Sequence, residues 1–445
     1  MNKIFTTFLM ILMCCTVFAD PVEIDGIYYN LDASTKEAEV TSNPNKYTGS
    51  VVIPASVSSE GVEYFVTSID QEAFYKCTGL TSVSIPETVT SIGSFKGCSA
   101  LTYINIPNSV KGIESETFYE CSSLESIIIP NSVKGIGMAA FAGCASLQSI
   151  TIPKSVTSIG LEAFSDCSNL NSIIVDSDNE VYDSREDCNA IIETSSTTLI
   201  RGCQNTIIPN TVTSIGFAAF SSSIGLTSID IPNSVISIGS FSFIRCKKLS
   251  SVNIPNSVST IGSNAFALTS LFSVTIPNSL KEIGTGTFQQ TPLLSISIPN
   301  SVKSIGTMAF QGCTQLSSID IPNTITIIGN SAFSGCTGLS SVSFGSSLTS
   351  IGNDAFYNCS GIKAVISLNP TPPVGVNFDY DASSKGTLYV PVGSKEVYQN
   401  ADGWRYFSNR IIEIGSLPGD VNGDGNVTAQ DASLILQKVA GKIDW

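Results

Sequence analysis

Near the C-terminus, Asp420, Asn422, Asp424, Asn426 and Asp431 carry the one spacing in this sequence suited to holding a metal ion. Counted from Asp420, side-chain oxygens fall at loop positions 1, 3 and 5 and a glycine (Gly425) turns the chain at 6. The main-chain carbonyl of Asn426 serves at 7, and the Asp431 carboxylate closes the loop at 12. A hard cation such as Ca2+ needs six or more oxygens directed inward, and alternate residues of a turning loop supply them. EF-hands close with Glu where this loop has Asp. Upstream, Ile411-Ile412-Glu413-Ile414-Gly415 and Pro418 cannot form an entering helix. Downstream, Ala432, Ile435, Leu436, Val439 and Ile443 make the apolar stripe of an exit helix, so the unit reads as a small calcium loop-helix module.

Little other chemistry is available. The 445 residues include no histidine, which removes His-based triads, His general bases and the commonest transition-metal ligand. Carboxylates are too sparse along most of the chain to nominate an acid/base pair, so no catalytic residues are assigned. The run Asp176, Asp178, Glu180, Asp183, Glu186 and Asp187 lacks a turning glycine and reads either as a cation site or as a solvated loop. With 22 basic against 37 acidic residues the net charge is −15, which disfavours nucleic acid and anionic membranes as partners.

What must position any binding groups is a repeat. The phrase I-P-N-S-V-x-S-I-G-x-x-A-F-x-x-C-x-x-L-x-S-I restarts about every 23 residues, its prolines running from Pro86 to Pro322, with Gly345 in the next such slot. A fixed period of this length is the mark of a solenoid, whose coils bury one another's apolar faces. In the unit Leu226-Thr227-Ser228-Ile229-Asp230-Ile231-Pro232, alternation predicts a short half-buried strand that proline ends. Gly239 then offers a natural site for positive φ, and Phe243 to Cys246 forms the turn or short helix to the next strand. Each position becomes a column. One runs Phe74, Phe95, Phe118, Phe141, Phe164, then Phe220 to Phe356; another runs Cys77, Cys98, Cys121, Cys144, Cys167, Cys246, Cys313, Cys336 and Cys359. The cysteines form runs of odd length, and neighbouring Cβ atoms about 5 Å apart exceed the spacing a disulfide wants. They read as buried free thiols.

From Pro153 to Pro209 the interval is 56 residues. Within it, residues 190–201 predict a hairpin centred between Ser195 and Ser196, which would set Cys188 opposite Cys203, as a bridge or as two free thiols. Residues 1–19 read as a secretory signal: Lys3, an apolar run from Ile4 to Phe18, then Val17-Phe18-Ala19 before the cut. Residues 20–68 predict an N-terminal β cap leading into the first repeat. The solenoid spans 69–366, with an irregular hairpin-containing repeat at 176–205. Pro370, Pro372 and Pro373 lead into a C-terminal cap at 367–415 holding Trp404, Tyr406 and Phe407. Residues 416–445 hold the calcium module.

The I-P-x-x-V-x-x-I-G-x-x-A-F-x-x-C phrases and the segment Thr387–Pro391 make residues 20–415 resemble the BspA-like leucine-rich repeat proteins. That resemblance implies an α/β-type repeat solenoid with a parallel sheet on its concave face, capped at both ends. It also implies a non-catalytic secreted or surface-displayed protein for adhesion or protein and glycan recognition. Residues 419–443 resemble one repeat of a type I dockerin. This implies Ca2+ on Asp420, Asn422, Asp424, Asn426 and Asp431, partner-reading residues at Ala429 and Gln430, and a cohesin domain as partner. Dockerins carry two such repeats, and one is present here. The alternatives are an accessory subunit of a cellulosome-like polysaccharide-degrading complex, or a structural spacer. The outward positions of the predicted strands, Ser82, Tyr103, Ser126 and Ser149 with Ser84, Asn105, Ile128 and Thr151 beside them, form a hydroxyl-rich strip. It serves either recognition or the solubility of the sheet.

Overall fold

A computed structural model describes residues 20–376, 378 and 386–414. Each coil is built from short turns, because the phrase places a turn-forming residue every few positions. The Pro232 carbonyl accepts the Val235 N–H at 3.0 Å, Phe243 accepts from Cys246 at 3.2 Å, and Cys246 accepts from Leu249 at 2.9 Å. These contacts span three residues, so the coil closes without any α-helix, and the return segment is turn throughout. Between the turns lie two extended stretches. The first, as in Ser149–Ile152 and Ser172–Val175, pairs in parallel with its neighbour in the 23-residue register Ser149↔Ser172. The second is the Ser-Ile pair before the glycine, such as Ser237–Ile238 beside Thr260–Ile261. Both rows are broken into short sheets.

The Phe column is a ladder of stacked rings. Phe243 and Phe266 stand 5.2 Å apart at 2°, Phe266 and Phe288 5.8 Å apart at 7°, all fully buried. The ladder extends beyond the repeated phrase. Tyr47 packs on Phe74 at one end, and at the other Phe378 stacks on Phe356 and meets Trp404 and Phe407 edge-on.

Two expectations are corrected. Gly239 and its equivalents from Gly137 to Gly352 do not adopt positive φ, whereas Gly93, in the shortened coil near the start of the array, does so at 58°. They are needed because coils approach closely there: a Cβ on Gly239 would lie 2.7 Å from the Gly216 carbonyl carbon, and one on Gly262 2.3 Å from the Ser240 nitrogen. The left-handed residues come elsewhere, one of them just before the Cys slot. Lys76, Glu120, Asp166 and Arg245 take it with φ of 54–59°, and Gly97, Gly143, Gly312 and Gly335 fill the same slot in other coils.

The second correction concerns the hairpin register that would set Cys188 opposite Cys203; of the two readings left open for this pair, free thiols is the one observed. At its tip the hairpin has the expected register, Glu193↔Thr198 and Ile192↔Leu199. A bulge then slips it by one residue, to Ile191↔Arg201 and Ala190↔Gly202. One residue of slip moves side chains to the opposite face. Cys188 accordingly lies in the core that continues to the C-terminal side and Cys203 in the core on the N-terminal side. Phe220 resumes the ladder against Gly202, where a Cβ would sit 2.2 Å from its ring.

The cysteine column does more than fill space. After Cys77, each thiol of the column lies within bonding reach of the Phe carbonyl one coil back: Cys98 Sγ to Phe74 O at 3.0 Å, Cys246 to Phe220 at 3.0 Å, Cys336 to Phe310 at 3.2 Å. Burial pushes Cys98, Cys167 and Cys246 up to about 12. The eleven described cysteines are all buried, so Ellman's reagent at pH 8 should label none of them in the folded chain and all of them in denaturant. Because the folded pKa values are raised, the unfolded chain loses thiol protons first. Stability should therefore be undiminished below about pH 8.5 and decline as pH rises from there towards 12. Labelling of the native chain at the unfolded rate would contradict the buried column.

Candidate functional site

The stretch before each proline, a paired strand in some coils and unpaired in others, turns alternate residues outward, and these form the candidate surface. Its small residues are exposed as expected at Ser126, Ser149, Thr151, Ser228, Ser251, Thr275 and Ser297. The strip is not uniform. Towards the N-terminal side it carries large apolar groups open to solvent: Tyr103 at 58 %, Ile128 at 84 % and Ile174 at 53 %. Val52, paired with Ser84, extends the column of Ile128 and Ile174 at 67 %, and Ile207, two residues before Pro209, continues it at 76 %. Beyond the hairpin the same column becomes Asp230, Asn253, Thr275 and Ser297.

Some predicted strip residues are not free to bind. The Asn105 amide is tied to the Ile85 main chain, donating to its O and accepting from its N, both at 2.8 Å. Ser343 is buried and bonds to Asp320, and Ile366 further on is buried too. Val52 and Ile207 escape the sequence reading because neither sits in a complete copy of the phrase. Their signal is position: Ile207 stands before Pro209 as Asp230 stands before Pro232.

The acidic run beside the hairpin engages its own surroundings. Asp183 takes a two-point ion pair from the Arg185 Nε and Nη2, with Thr194 adding a hydrogen bond. Despite partial burial, these bonds to Arg185 hold its carboxyl below the usual range. Asp176 accepts from the Asp178 amide, and Asp178 pairs with Lys154 at 3.3 Å. Among the described residues no group of His, Cys, Asp or Glu converges as a metal site. Asp420, Asn422, Asp424, Asn426 and Asp431, with Ala429 and Gln430, lie outside the described residues.

Six copies of the BspA type leucine rich repeat region match this chain, over residues 67–188, 200–317 and 303–372. The chain belongs to the BspA-type leucine-rich repeat family. The stretch left unmatched between 188 and 200 is the hairpin, where the repeat phrase is replaced. Among solved structures, a leucine-rich repeat protein from Bacteroides ovatus is 31% identical, over 78% of this chain and 94% of that one, with a TM-score of 0.49. A leucine rich cell surface protein from Faecalibacterium prausnitzii is 27% identical over 78% and 95%, also at 0.49. The pneumococcal vaccine antigen PcpA is 19% identical over 88% and 98%, with a TM-score of 0.53, a likeness of fold. No curated protein matches the sequence. Among the described residues no helix of this BspA-type chain is long and apolar enough to cross a membrane.

Proposed function

We propose that this BspA-type protein is a non-catalytic recognition protein, secreted or held at the cell surface, that binds an extracellular protein or glycan along its strand row. The carrying observation is the apolar half of the strip. Val52, Tyr103, Ile128, Ile174 and Ile207 present large side chains on a face otherwise built of small polar residues. Aliphatic groups this exposed gain by being covered, and a central apolar patch inside a polar rim is how protein interfaces are organised. The signal-like residues 1–19 support export. The tail supports a second attachment: Asp420, Asn422, Asp424, Asn426 and Asp431 would hold Ca2+, leaving Ala429 and Gln430 to meet a cohesin domain.

The test is capture of matrix proteins, mucins and plant glycans by the full chain, with and without a calcium chelator. A variant carrying Tyr103→Ser, Ile128→Ser and Ile174→Ser should bind its ligand at least tenfold more weakly. A matched set on the polar half, Ser251→Ala, Thr275→Ala and Ser297→Ala, should bind within about twofold of the parent. Equal binding by both variants would reject the apolar strip as the contact. Release of reducing sugar from a captured glycan would reject the non-catalytic reading. Cohesin capture that survives the chelator would reject the role given to the tail.

A further inference from the structure

At the C-terminal end of the strand row the outward face closes. The stretches Ser341–Phe344, Ala364–Ser367, Thr387–Val390 and Ile411–Glu413 pair in parallel, so Ser343, Ile366, Tyr389 and Ile412 follow one another down the outward column. Earlier in that column Asp230, Asn253, Thr275 and Ser297 stand open to solvent. Ser343 is then 1 % exposed and Ile366 0 %, and in the column beside it Ala364 falls to 5 %. Ile412, on the last strand, is open again at 50 %.

Neighbours within the sheet do not account for this closure. Ala364 and Ile366 form a cluster apart from the two main cores, packed with Leu368, Tyr389 and Ile414, which alternation places on the same outward side. Ile128 holds the place of Ile366 in an earlier coil, flanked by a coil on each side, and is 84 % exposed. Sealing an outward isoleucine from water takes a layer lying over it.

The chain supplies a segment of the right character. Ile414 belongs to the cluster, and after it come the link 415–419, the calcium loop 420–431 and the stripe Ala432, Ile435, Leu436, Val439 and Ile443. The link extends at most about 17 Å, so the loop begins within that distance of the cluster. A helix over 432–443 is about 18 Å long, enough to cross four strands set about 4.8 Å apart. On such a helix Lys438 and Lys442 share one flank of the stripe. Asp320, which accepts from Ser343 Oγ at 2.9 Å, borders the closed region on its N-terminal side.

We infer that the stripe at 432–443 docks on the outward face of this chain's own last strands, over Ala364, Ile366 and Tyr389, with its lysine flank towards Asp320. Docking removes the apolar surface of both partners from water and gives the end of the sheet a second layer. The contact needs no cohesin and lies away from Tyr103, Ile128 and Ile174, so it stands or falls separately from the recognition strip.

The experiment places a thiol under this cover in the full chain, by Ile366→Cys or, leaving Ile366 in place, by Ala364→Cys. The eleven described native cysteines are buried, and maleimide labelling is read by mass spectrometry on the peptide carrying the new thiol. Ser297→Cys, on the open part of the same column, sets the unprotected rate. Labelling at 366 and 364 should be at least tenfold slower than at 297. Adding Ile435→Ser, Leu436→Ser and Val439→Ser should bring both sites to within about threefold of 297. Ser433→Ala with Gln437→Ala, on the opposite side of the predicted helix, should leave the protection intact. Equal rates at all three sites in the chain with its native stripe would overturn the assignment. So would protection that survives the three serines, or protection lost to the Ser433 and Gln437 pair. Protection lost on dilution to nanomolar concentration would place a second copy's stripe on this face and overturn it too.

Discussion

Replacing Phe266 with alanine should lower the stability of the array by about 3–5 kcal/mol, the cost of emptying a closed aromatic site. The ring is fully buried and stacked on both sides, 5.2 Å from Phe243 and 5.8 Å from Phe288. Neither neighbour can collapse into the gap without leaving its own stack. In a repeat array the damage is local at first, because each coil is held by the coils beside it. Hydrogen exchange should therefore quicken in residues 240–290 before the ends respond, and urea denaturation should read the total loss. Phe217→Ala is the control: that ring is 40 % exposed and makes one edge contact with Phe241, so its loss should cost under about 1 kcal/mol. Equal effects at the two positions would mean that the ladder does not carry the fold.

Gly262→Ala should be nearly as damaging, for the opposite reason. The new methyl would lie 2.3 Å from the Ser240 nitrogen and 2.7 Å from the Gly239 carbonyl carbon. These are main-chain atoms of the adjacent coil, with no rotamer to turn aside. Separating the two coils would stretch the bond from the Gly262 N–H to the Ile238 carbonyl, 2.8 Å long here. The expected loss is about 3 kcal/mol, the upper end of what overpacking costs. Gly284 holds the same slot one coil on, yet its Cβ would find nothing nearer than 3.4 Å. Gly284→Ala should change the urea midpoint little. If the two alanines behave alike, close approach is not why glycine stands in this column.

Much of this architecture is legible in the residues, since a period that repeats its apolar letters leaves few ways to bury them. The Phe and Cys columns stand where spacing puts them, and so does the strand before Pro86, Pro107, Pro153, Pro232, Pro255 and Pro322; before Pro130, Pro209, Pro277 and Pro299 no strand forms. The turns were harder. The left-handed residue before the Cys slot is lysine, glutamate, aspartate or arginine as often as glycine, because its side chain meets solvent and its backbone is fixed by the coil above. Gly239 misleads the same reading: glycine serves two physical purposes, and a single sequence does not say which. The hairpin was located correctly but not its bulge, for an unpaired Ile200 looks like any other residue of a strand. Tyr47 and Phe378 continue the ladder without the phrase around them, so only packing finds them. On the strip, the outward positions could be counted off. That Asn105 would spend its amide on Ile85 could not.

The bulge at the hairpin has a consequence for how the molecule comes apart. Ile191 faces the N-terminal core and Ile192 the C-terminal one. One strand thus stitches both halves together, residue by residue, with no hinge between them. Heating either half would strip one side of that thread and leave the other side holding it, so the two halves should melt as a coupled pair rather than as neighbours indifferent to each other.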